Sequence, residues 1–178
     1  MSDDVTVVVG NPRPASRTFG AARRLGERLA AECGTGLRCF DLAELGAALL
    51  EPGAPAVRAV VEAVRGSPVT VLASPTYKAT YTGILKLFAD QVGTGEMGGA
   101  LGVPMMVAGT AHHALALDVH LRPLMVEIGF SSPGPGLLLL ESDLGAIDDR
   151  VDDWLGGWTR WLPPATPRPE QKKEEDRP

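Results

Sequence analysis

The chain has 178 residues, of which 44% are hydrophobic, and a formal net charge of −5 at pH 7. This length suffices for one domain with a substantial apolar core, and the acidic balance argues against general binding to nucleic acid or to anionic membranes. Two cysteines are too few for a disulfide framework, and no apolar run reaches the ~18 residues of a membrane span. The acidic N-terminus shows no signal-peptide pattern, so we expect a cytoplasmic protein with reduced thiols.

Five short apolar runs predict β-strands. None of them alternates hydrophobic with polar residues, which is typical of strands in a sheet that is covered on both faces. The first run, VTVVV, is followed directly by glycine and a proline-containing turn, as expected for the end of a strand. In chain order the runs cover residues 5–9, 37–42, 69–74, 103–109 and 136–141.

Helical spacing of apolar residues follows each of the five runs. Thr18 is predicted as the N-cap of the first helix, and Gly66 as the stop signal of the second. Pro123 should kink or interrupt the fourth helix, because proline lacks an amide hydrogen and clashes with the preceding turn. The helical segments cover residues 18–32, 54–66, 81–92, 112–128 and 146–162.

The alternation of strands and helices predicts an α/β fold with a parallel sheet and helices on both of its faces. For five strands we expect the flavodoxin-like, doubly wound order 2-1-3-4-5. This domain is predicted to span residues 1–162. The segment that follows, residues 163–178, is rich in proline and charge and almost free of apolar residues, so it is predicted to be a disordered tail.

The loop after the first predicted strand, GNPRPASRT, carries two arginines and two hydroxyl groups, on Arg13, Ser16, Arg17 and Thr18. In an open α/β sheet, ligands bind beyond the carboxyl ends of the strands, where the strand order reverses. The first amides of the following helix favour an anion, and the arginines can pair with a dianion. A solvated turn with a capped helix is the alternative, but this combination at one place favours a phosphate site.

The loops after the third and fourth strands reach the same edge of the predicted sheet. In SPTYKATYTG, Pro75 fixes a turn, and both tyrosines of the chain follow it. A planar ring could lie against this backbone, with Lys78 meeting a nearby negative charge; an apolar contact into the next helix is the alternative. After the fourth strand, Gly109 allows close approach of a ligand to the backbone, and Thr110 can cap a helix or bind that ligand.

Two further patterns are not interpreted as ligand sites. The histidines His112, His113 and His120 lack the partner spacing of a known metal motif, so we expect no bound metal. The stretch GTGEMG, residues 93–98, satisfies GxGxxG. It follows a helix and precedes a strand, however, which reverses the context of a dinucleotide site, and we interpret it as a connection.

Together, the three loop motifs resemble those of the NADPH-dependent FMN reductases. The motifs are GNPRPASRT, SPTYKATYTGILKLFAD and GTAHHALALDVHLRP, and their order and spacing match the family over about residues 5–130. The likeness is greatest to the reductases that supply reduced flavin to alkanesulfonate-type two-component monooxygenases. The resemblance implies a flavodoxin-like fold and an NAD(P)H:FMN oxidoreductase, in which NADPH or NADH transfers hydride to FMN and no side chain acts as acid or base.

The resemblance also implies where the flavin binds. The first loop would hold the phosphate of FMN through Arg13, Ser16, Arg17 and Thr18. The second loop would lie along the isoalloxazine ring and the third on its other side, and the matching residues are Pro75, Thr76, Tyr77, Lys78, Gly109 and Thr110. The family forms homodimers or homotetramers through the helices beside these loops, and the resemblance implies a flavin-dependent monooxygenase as partner.

One stretch departs from the family pattern. Some sulfonate-linked members carry an inserted tyrosine in a stretch that resembles LDYALKP, whereas this chain has LDVHLRP, with Val119 and His120 at that place. A mechanism that depends on this tyrosine, such as flavin release from a tetramer, therefore does not follow from the resemblance.

Two other functions also fit the residues. One is an NAD(P)H-dependent quinone, azo or metal reductase that keeps FMN bound throughout its cycle. The other is a flavodoxin-like electron carrier without NAD(P)H oxidation of its own. The arginines of the phosphate loop and the modest negative charge of the chain count against the carrier.

Overall fold

The protein is described by a computed structural model over residues 4–165. Five parallel strands form one sheet, and their order across it is β2-β1-β3-β4-β5, which confirms the predicted fold. All residues of β1 and β3 are buried, which explains why their sequences are continuously apolar. The strands are β1 (Val5–Val9), β2 (Leu37–Asp41), β3 (Val69–Pro75), β4 (Leu101–Ala108) and β5 (Leu137–Leu140).

Helices cover both faces of this sheet. One apolar core lies between the sheet and two helices, and it includes Leu25 of α1 and Val151 of α5. The other core lies on the opposite face and includes Val60 of α2, Phe88 of α3 and Met125 of α4. The helices are α1 (Arg17–Cys33), α2 (Pro55–Arg65), α3 (Gly83–Ala89), α4 (Arg122–Glu127) and α5 (Ile147–Leu155). None of the helices within residues 4–165 combines the length and apolar character that crossing a bilayer requires.

The N-cap of helix α1 lies two residues earlier than predicted. Its N-cap is Ser16, whose hydroxyl oxygen accepts a hydrogen bond from the amide of Phe19 at 3.1 Å, so the assignment of the cap to Thr18 was wrong. Both residue types are good caps, and the extended backbone at Ser16 decides between them. Thr18 is instead 3% exposed in the first turn, where its hydroxyl oxygen accepts a hydrogen bond from the side-chain amide of Asn11.

The region predicted as the fourth helix changes helix type along its length. A 3₁₀ turn at Ala111–His113 is followed by a π-helical turn at Leu117–Leu121, which runs directly into α4. Pro123 lies in the first turn of α4 and has no amide hydrogen to donate to the carbonyl of Val119. The wider π turn accommodates this missing bond, so the interruption expected at Pro123 takes the form of a bulge.

Two further segments differ from the sequence prediction. A 3₁₀ segment at Leu42–Leu50 precedes α2 and was not predicted. The last helix ends at Leu155, and the turns that follow bury Trp158, whose indole nitrogen donates a hydrogen bond to the carbonyl of Pro135 at 2.6 Å. Residues 166–178, most of the predicted tail, lie outside the described residues.

Candidate functional site

A cleft of about 250 Å³ opens beyond the carboxyl ends of the strands, beside the point between β1 and β3 where the strand order reverses. It contains six of the ten residues that the sequence analysis proposed: Arg13, Ser16, Arg17, Thr18, Pro75 and Tyr77. Its wall is completed by residues that the sequence analysis did not propose: Asn11, Pro14, Val107, Glu141 and Leu144.

The loop after β1 is fixed by buried polar side chains. Asn11 is 6% exposed; its side-chain oxygen accepts a hydrogen bond from the amide of Arg13 at 3.0 Å, and its side-chain nitrogen donates to the hydroxyl of Thr18 at 3.3 Å. The amide of Ala15, at a positive φ of 49°, donates to a carboxylate oxygen of Asp41 at 2.9 Å. Since both ends of the loop are held, its arginines are presented on a preorganised backbone.

Positive charge predominates at this end of the cleft. The side chain of Arg13 is exposed and forms no ion pair with any residue of the described part of the chain. Arg17 is the first residue of α1, whose first turn contains no acidic residue, and it pairs with Glu141 at 2.9 Å. The unpaired guanidinium and the amides at the start of a 17-residue helix together favour an anion.

Close backbone packing sets the position of this loop. Gly10 is buried directly after β1, and a Cβ atom built on it would lie only 2.4 Å from the Cβ of Leu85 in α3. Any larger residue would therefore push the loop away from α3. The glycine at the start of GNPRPASRT therefore allows the loop after β1 to pack closely against α3.

The loop after β3 contains a tight two-residue hairpin. The amide of Tyr77 donates to the carbonyl of Thr80 at 2.9 Å, and the amide of Thr80 donates back at 3.2 Å. Between them, Lys78 and Ala79 adopt φ values of 51° and 62°. Turns of this kind usually contain asparagine or glycine, so two side chains in the left-handed region store strain here.

Two contacts hold the strained hairpin in place. The amide of Thr76 donates to the carbonyl of Val107 at 2.8 Å, which ties the hairpin to the end of β4. His120, in the π turn, makes a hydrogen bond of 2.9 Å between its Nδ1 and the hydroxyl of Thr80. With its backbone fixed, the hairpin presents the ring of Tyr77, which is 43% exposed, to the cleft.

The remaining predicted residues lie near the cleft without forming its wall. Lys78 is exposed at the tip of the hairpin. Gly109 and Thr110 are exposed just after β4, and they reach the same sheet edge because Val107 pairs with Pro75 of the neighbouring strand. The structure thus brings the loop after β4 beside the hairpin.

Two buried polar atoms in these loops lack partners. The hydroxyl oxygen of Thr76 and the Nδ1 atom of His113 are both buried without a hydrogen bond to any described residue. Buried polar atoms are nearly always hydrogen-bonded in native proteins, so each of these two atoms is available to a partner that reaches it. A recess that favours an anion, beside an exposed aromatic ring and unpaired polar atoms, fits a molecule with a phosphate and a polar planar ring.

Asn11 and Glu141 were missed although the sequence carried a signal for both. Each follows the end of a strand closely, Asn11 after β1 and Glu141 immediately after β5. A polar residue at the carboxyl end of a parallel strand is a candidate ligand contact by the same rule that selected Arg13. For metals, residues 4–165 contain no group of three or more histidine, cysteine, aspartate or glutamate side chains that could hold an ion.

Comparison with known proteins gives matches over most of this domain. The family model for NADPH-dependent FMN reductase matches residues 4–144. A curated relative from Pseudomonas aeruginosa, FMN reductase (NADPH), is 34% identical over 128 residues, which are 67% of this chain and 67% of that protein. The NADH-dependent FMN reductase SfnF from Pseudomonas putida is 32% identical over 126 residues, 67% of this chain and 68% of that protein.

Solved structures agree with the architecture described above. The apo form of an NADH:FMN oxidoreductase, EMOB, superposes with a TM-score of 0.75 at 24% identity, covering 86% of this chain and 88% of that chain. An oxidoreductase from Corynebacterium diphtheriae superposes with a TM-score of 0.77 at 24% identity, covering 91% and 98% of the two chains. At this identity the two superpositions establish the shared fold.

Proposed function

Because the chain belongs to the NADPH-dependent FMN reductase family, we propose that its cleft binds FMN for reduction by NADPH or NADH. The family membership makes the chain an oxidoreductase that uses a flavin and a nicotinamide nucleotide. The observation that carries the assignment of the cleft is one juxtaposition: the unpaired guanidinium of Arg13 and the N-terminus of α1 lie at the switch point, beside the exposed ring of Tyr77.

The phosphate of FMN binds at the loop after β1. Arg13 and Arg17 supply charge-assisted hydrogen bonds, and the first amides of α1 supply further donors. The hydroxyl of Ser16 already accepts from the amide of Phe19, but it keeps its own hydrogen to donate to a phosphate oxygen. Thr18 adds a second hydroxyl at the cleft wall.

The hairpin after β3 would hold the ring of FMN. The cleft, of about 250 Å³, would accept the phosphate end of the molecule, since it is smaller than the ~300–1,000 Å³ of common ligand pockets. At the hairpin, Pro75, Thr76, Tyr77 and Lys78 line one side of the ring. The unpaired hydroxyl of Thr76 supplies a hydrogen-bonding group, and the exposed loop at Gly109 and Thr110 approaches the other side.

When bound, FMN supplies the hydride-accepting chemistry. The chain's own residues bind and orient it, and no nucleophile or acid–base pair is needed among them. Lys78, exposed at the hairpin tip, would supply a positive charge that favours a flavin carrying negative charge. The hydrogen bonds of the hairpin fix the backbone that carries this residue.

The chain treats FMN as an exchangeable substrate and passes reduced flavin to a partner monooxygenase. The open cleft supports this proposal, since Arg17 remains 69% exposed and nothing within residues 4–165 closes over it. We place the reaction in the cytoplasm, where both nucleotides are available. The thiols of Cys33 and Cys39, both free, are compatible with that compartment.

The chain assembles as a homodimer or homotetramer through the helices beside the cleft. Exposed large apolar side chains concentrate there: Leu115 is 74% exposed, Val119 59% and Val126 55%. Leu87, which is also exposed, lies in α3, the other helix beside the cleft. Apolar surface of this kind, grouped on one segment, is typical of a protein interface. The assembly covers these side chains.

The test is the oxidation of NADPH in air by the purified full chain, with and without added FMN, together with the flavin content of the protein as isolated. We expect oxidation to rise with added FMN and little flavin to copurify. Protein isolated with stoichiometric FMN, whose NADPH oxidation ignores free FMN but responds to quinones, would replace the exchange proposal with a bound-flavin reductase. FMN binding without any nucleotide oxidation would contradict the reductase assignment of the cleft.

A further inference from the structure

One carboxylate stands in the wall of the cleft proposed to bind a phosphate. Glu141 follows β5 immediately, and among the described residues that line the cleft it is the only acid. Its Oε2 atom lies 2.9 Å from the Nη2 atom of Arg17, at the start of α1. The two partners are 124 positions apart in the chain, so the fold itself brings this ion pair to the anion site.

This ion pair acts against a bound phosphate in two ways. A guanidinium that donates to Glu141 has fewer of its hydrogens available for a phosphate dianion. The carboxylate also repels a dianion placed beside Arg17 and reduces the net positive charge of the two cleft arginines by one. Of the two cleft arginines, Arg13 is the one that has no acidic partner among the described residues.

We infer that Glu141 determines how tightly the chain holds phosphorylated flavin, by competing with the flavin phosphate for Arg17. This inference rests on the proposed binding of FMN at this cleft. Both members of the pair are exposed, Arg17 by 69% and Glu141 by 52%, so the guanidinium can leave the carboxylate for a ligand without burying an unpaired charge. Glu141 thereby keeps FMN affinity low enough for exchange, a property that a reductase with a diffusible flavin requires.

The opposite role is a positioning one, in which Glu141 holds Arg17 in the orientation that binds phosphate. The two roles predict effects of opposite sign when the carboxylate is neutralised. Competition predicts tighter FMN binding by Glu141→Gln, whereas positioning predicts weaker binding. The sign of the change therefore decides between them.

The experiment measures the dissociation constants of FMN and riboflavin, the latter lacking the phosphate, by fluorescence quenching with the full chain. The variants are Glu141→Gln, Arg17→Gln and the double substitution. Asp148→Asn is the matched control, because it also neutralises one acid that pairs α1 with the C-terminal part of the chain, through Arg24 at 2.6 Å, but it does not line the cleft. Circular dichroism verifies that each variant is folded.

We expect Glu141→Gln to tighten FMN about three- to ten-fold, as removal of one exposed competing charge allows, and to leave riboflavin unchanged. The gain should disappear in the Arg17→Gln background and be absent in Asp148→Asn. FMN binding that is unchanged or weaker in Glu141→Gln, with wild-type binding intact, overturns this inference alone. Wild-type chain that binds FMN and riboflavin with equal affinity overturns the proposed phosphate site, and the inference with it.

Discussion

The hydroxyl of Thr82 donates a hydrogen bond to the carbonyl oxygen of Gly10, joining the start of α3 to the loop that follows β1. The hydroxyl oxygen of Thr82 in turn accepts from the amide of Leu85 at 3.4 Å and so caps α3, while the amide of Thr82 donates to the hydroxyl of Ser74 at 3.0 Å. One buried threonine thus links the two loops proposed to hold the phosphate and the ring. Their separation is set by this contact.

Replacing Thr82 by valine keeps the shape of the side chain but removes its hydroxyl. The variant should lose roughly 1–3 kcal/mol of unfolding free energy, because the carbonyl of Gly10 loses its buried partner and α3 loses its cap. Urea unfolding measures the loss. Thr82→Ser keeps the hydroxyl and should retain most of the stability; equal losses in both variants would show that the methyl group contributes as much as the hydroxyl.

Gly10→Ala tests the close contact between the first loop and α3. The added Cβ meets Leu85 at 2.4 Å, so we expect a loss of about 1–3 kcal/mol in unfolding free energy and weaker binding of FMN. Gly20→Ala is the control, since a Cβ there meets nothing within 4 Å and the position lies inside α1. It should gain about 0.5–1 kcal/mol. A Gly10→Ala variant as stable as wild type would mean that α3 yields to the methyl group.

Arg13→Gln tests the proposed phosphate contact. Loss of a charge-assisted hydrogen bond should raise the dissociation constant of FMN about tenfold or more and leave that of riboflavin unchanged. Arg23→Gln removes the same charge from the same part of the chain, where Arg23 pairs with Glu27 at 3.0 Å, and should have little effect. An equal loss for both flavins would indicate that Arg13 acts on the ring or on the loop, not on the phosphate.

If the chain assembles through the exposed apolar side chains beside the cleft, a charged residue placed among them should lower the molar mass of the assembly. Leu115→Lys should lower the molar mass measured by size-exclusion chromatography with light scattering, because a lysine cannot be buried there without a partner. Leu50→Lys provides the comparison, since Leu50 is also exposed, by 69%, but lies in the 3₁₀ segment before α2. A monomeric wild-type chain would remove the basis for the proposed interface.

The buried thiol of Cys33 predicts a pH dependence of stability. Burial, reinforced by the nearby charge of Glu32, raises the pKa of this thiol above its ordinary value of 9.0. The unfolded thiol ionises first as pH rises, so stability is fully present below pH 9.0 and declines above it, by at most about 0.8 kcal/mol at pH 9.5. Urea unfolding at pH 7.5 and 9.5 should show a larger loss for wild type than for Cys33→Ala. Equal losses would assign the decline to other groups.

The sheet could be predicted from the sequence because its inner strands are buried on both faces. The apolar side chains of a run such as VTVVV in β1 point to both faces of the sheet, so both faces must be covered to remove them from water. Each such run is followed by a helical segment that can provide this cover. The position of the loop after β1 could be predicted in the same way, because the carboxyl ends of the parallel strands β1 and β3 lie at the same edge of the sheet. The exact start of α1 did not follow, because Ser16 and Thr18 are equally suitable caps and only the backbone path distinguishes them.

Other features depend on contacts that a single sequence does not display. The pairing of Glu141 with Arg17 joins segments at opposite ends of the domain, and it becomes visible only when β5 is placed in the sheet. The π turn before Pro123 is one of several ways to accommodate a proline, chosen by the packing of Leu117 and Leu121 into the core. The hairpin at Lys78 and Ala79 contradicts the residue preferences of its turn type, so local propensity could not reveal it.

The order of the strands also governs when the cleft can form during folding. Val5 pairs with Leu37 and Thr6 with Thr70, so β1 gains its second neighbour only after about two fifths of the chain has been synthesised. Pairings between such distant segments close large loops and slow folding, unlike the local contacts within helices. A nascent chain therefore exposes one edge of the apolar strand β1 until β3 emerges from the ribosome. Chaperone binding at that stage would protect the edge of β1 that later pairs with β3, between the two loops proposed to bind the flavin.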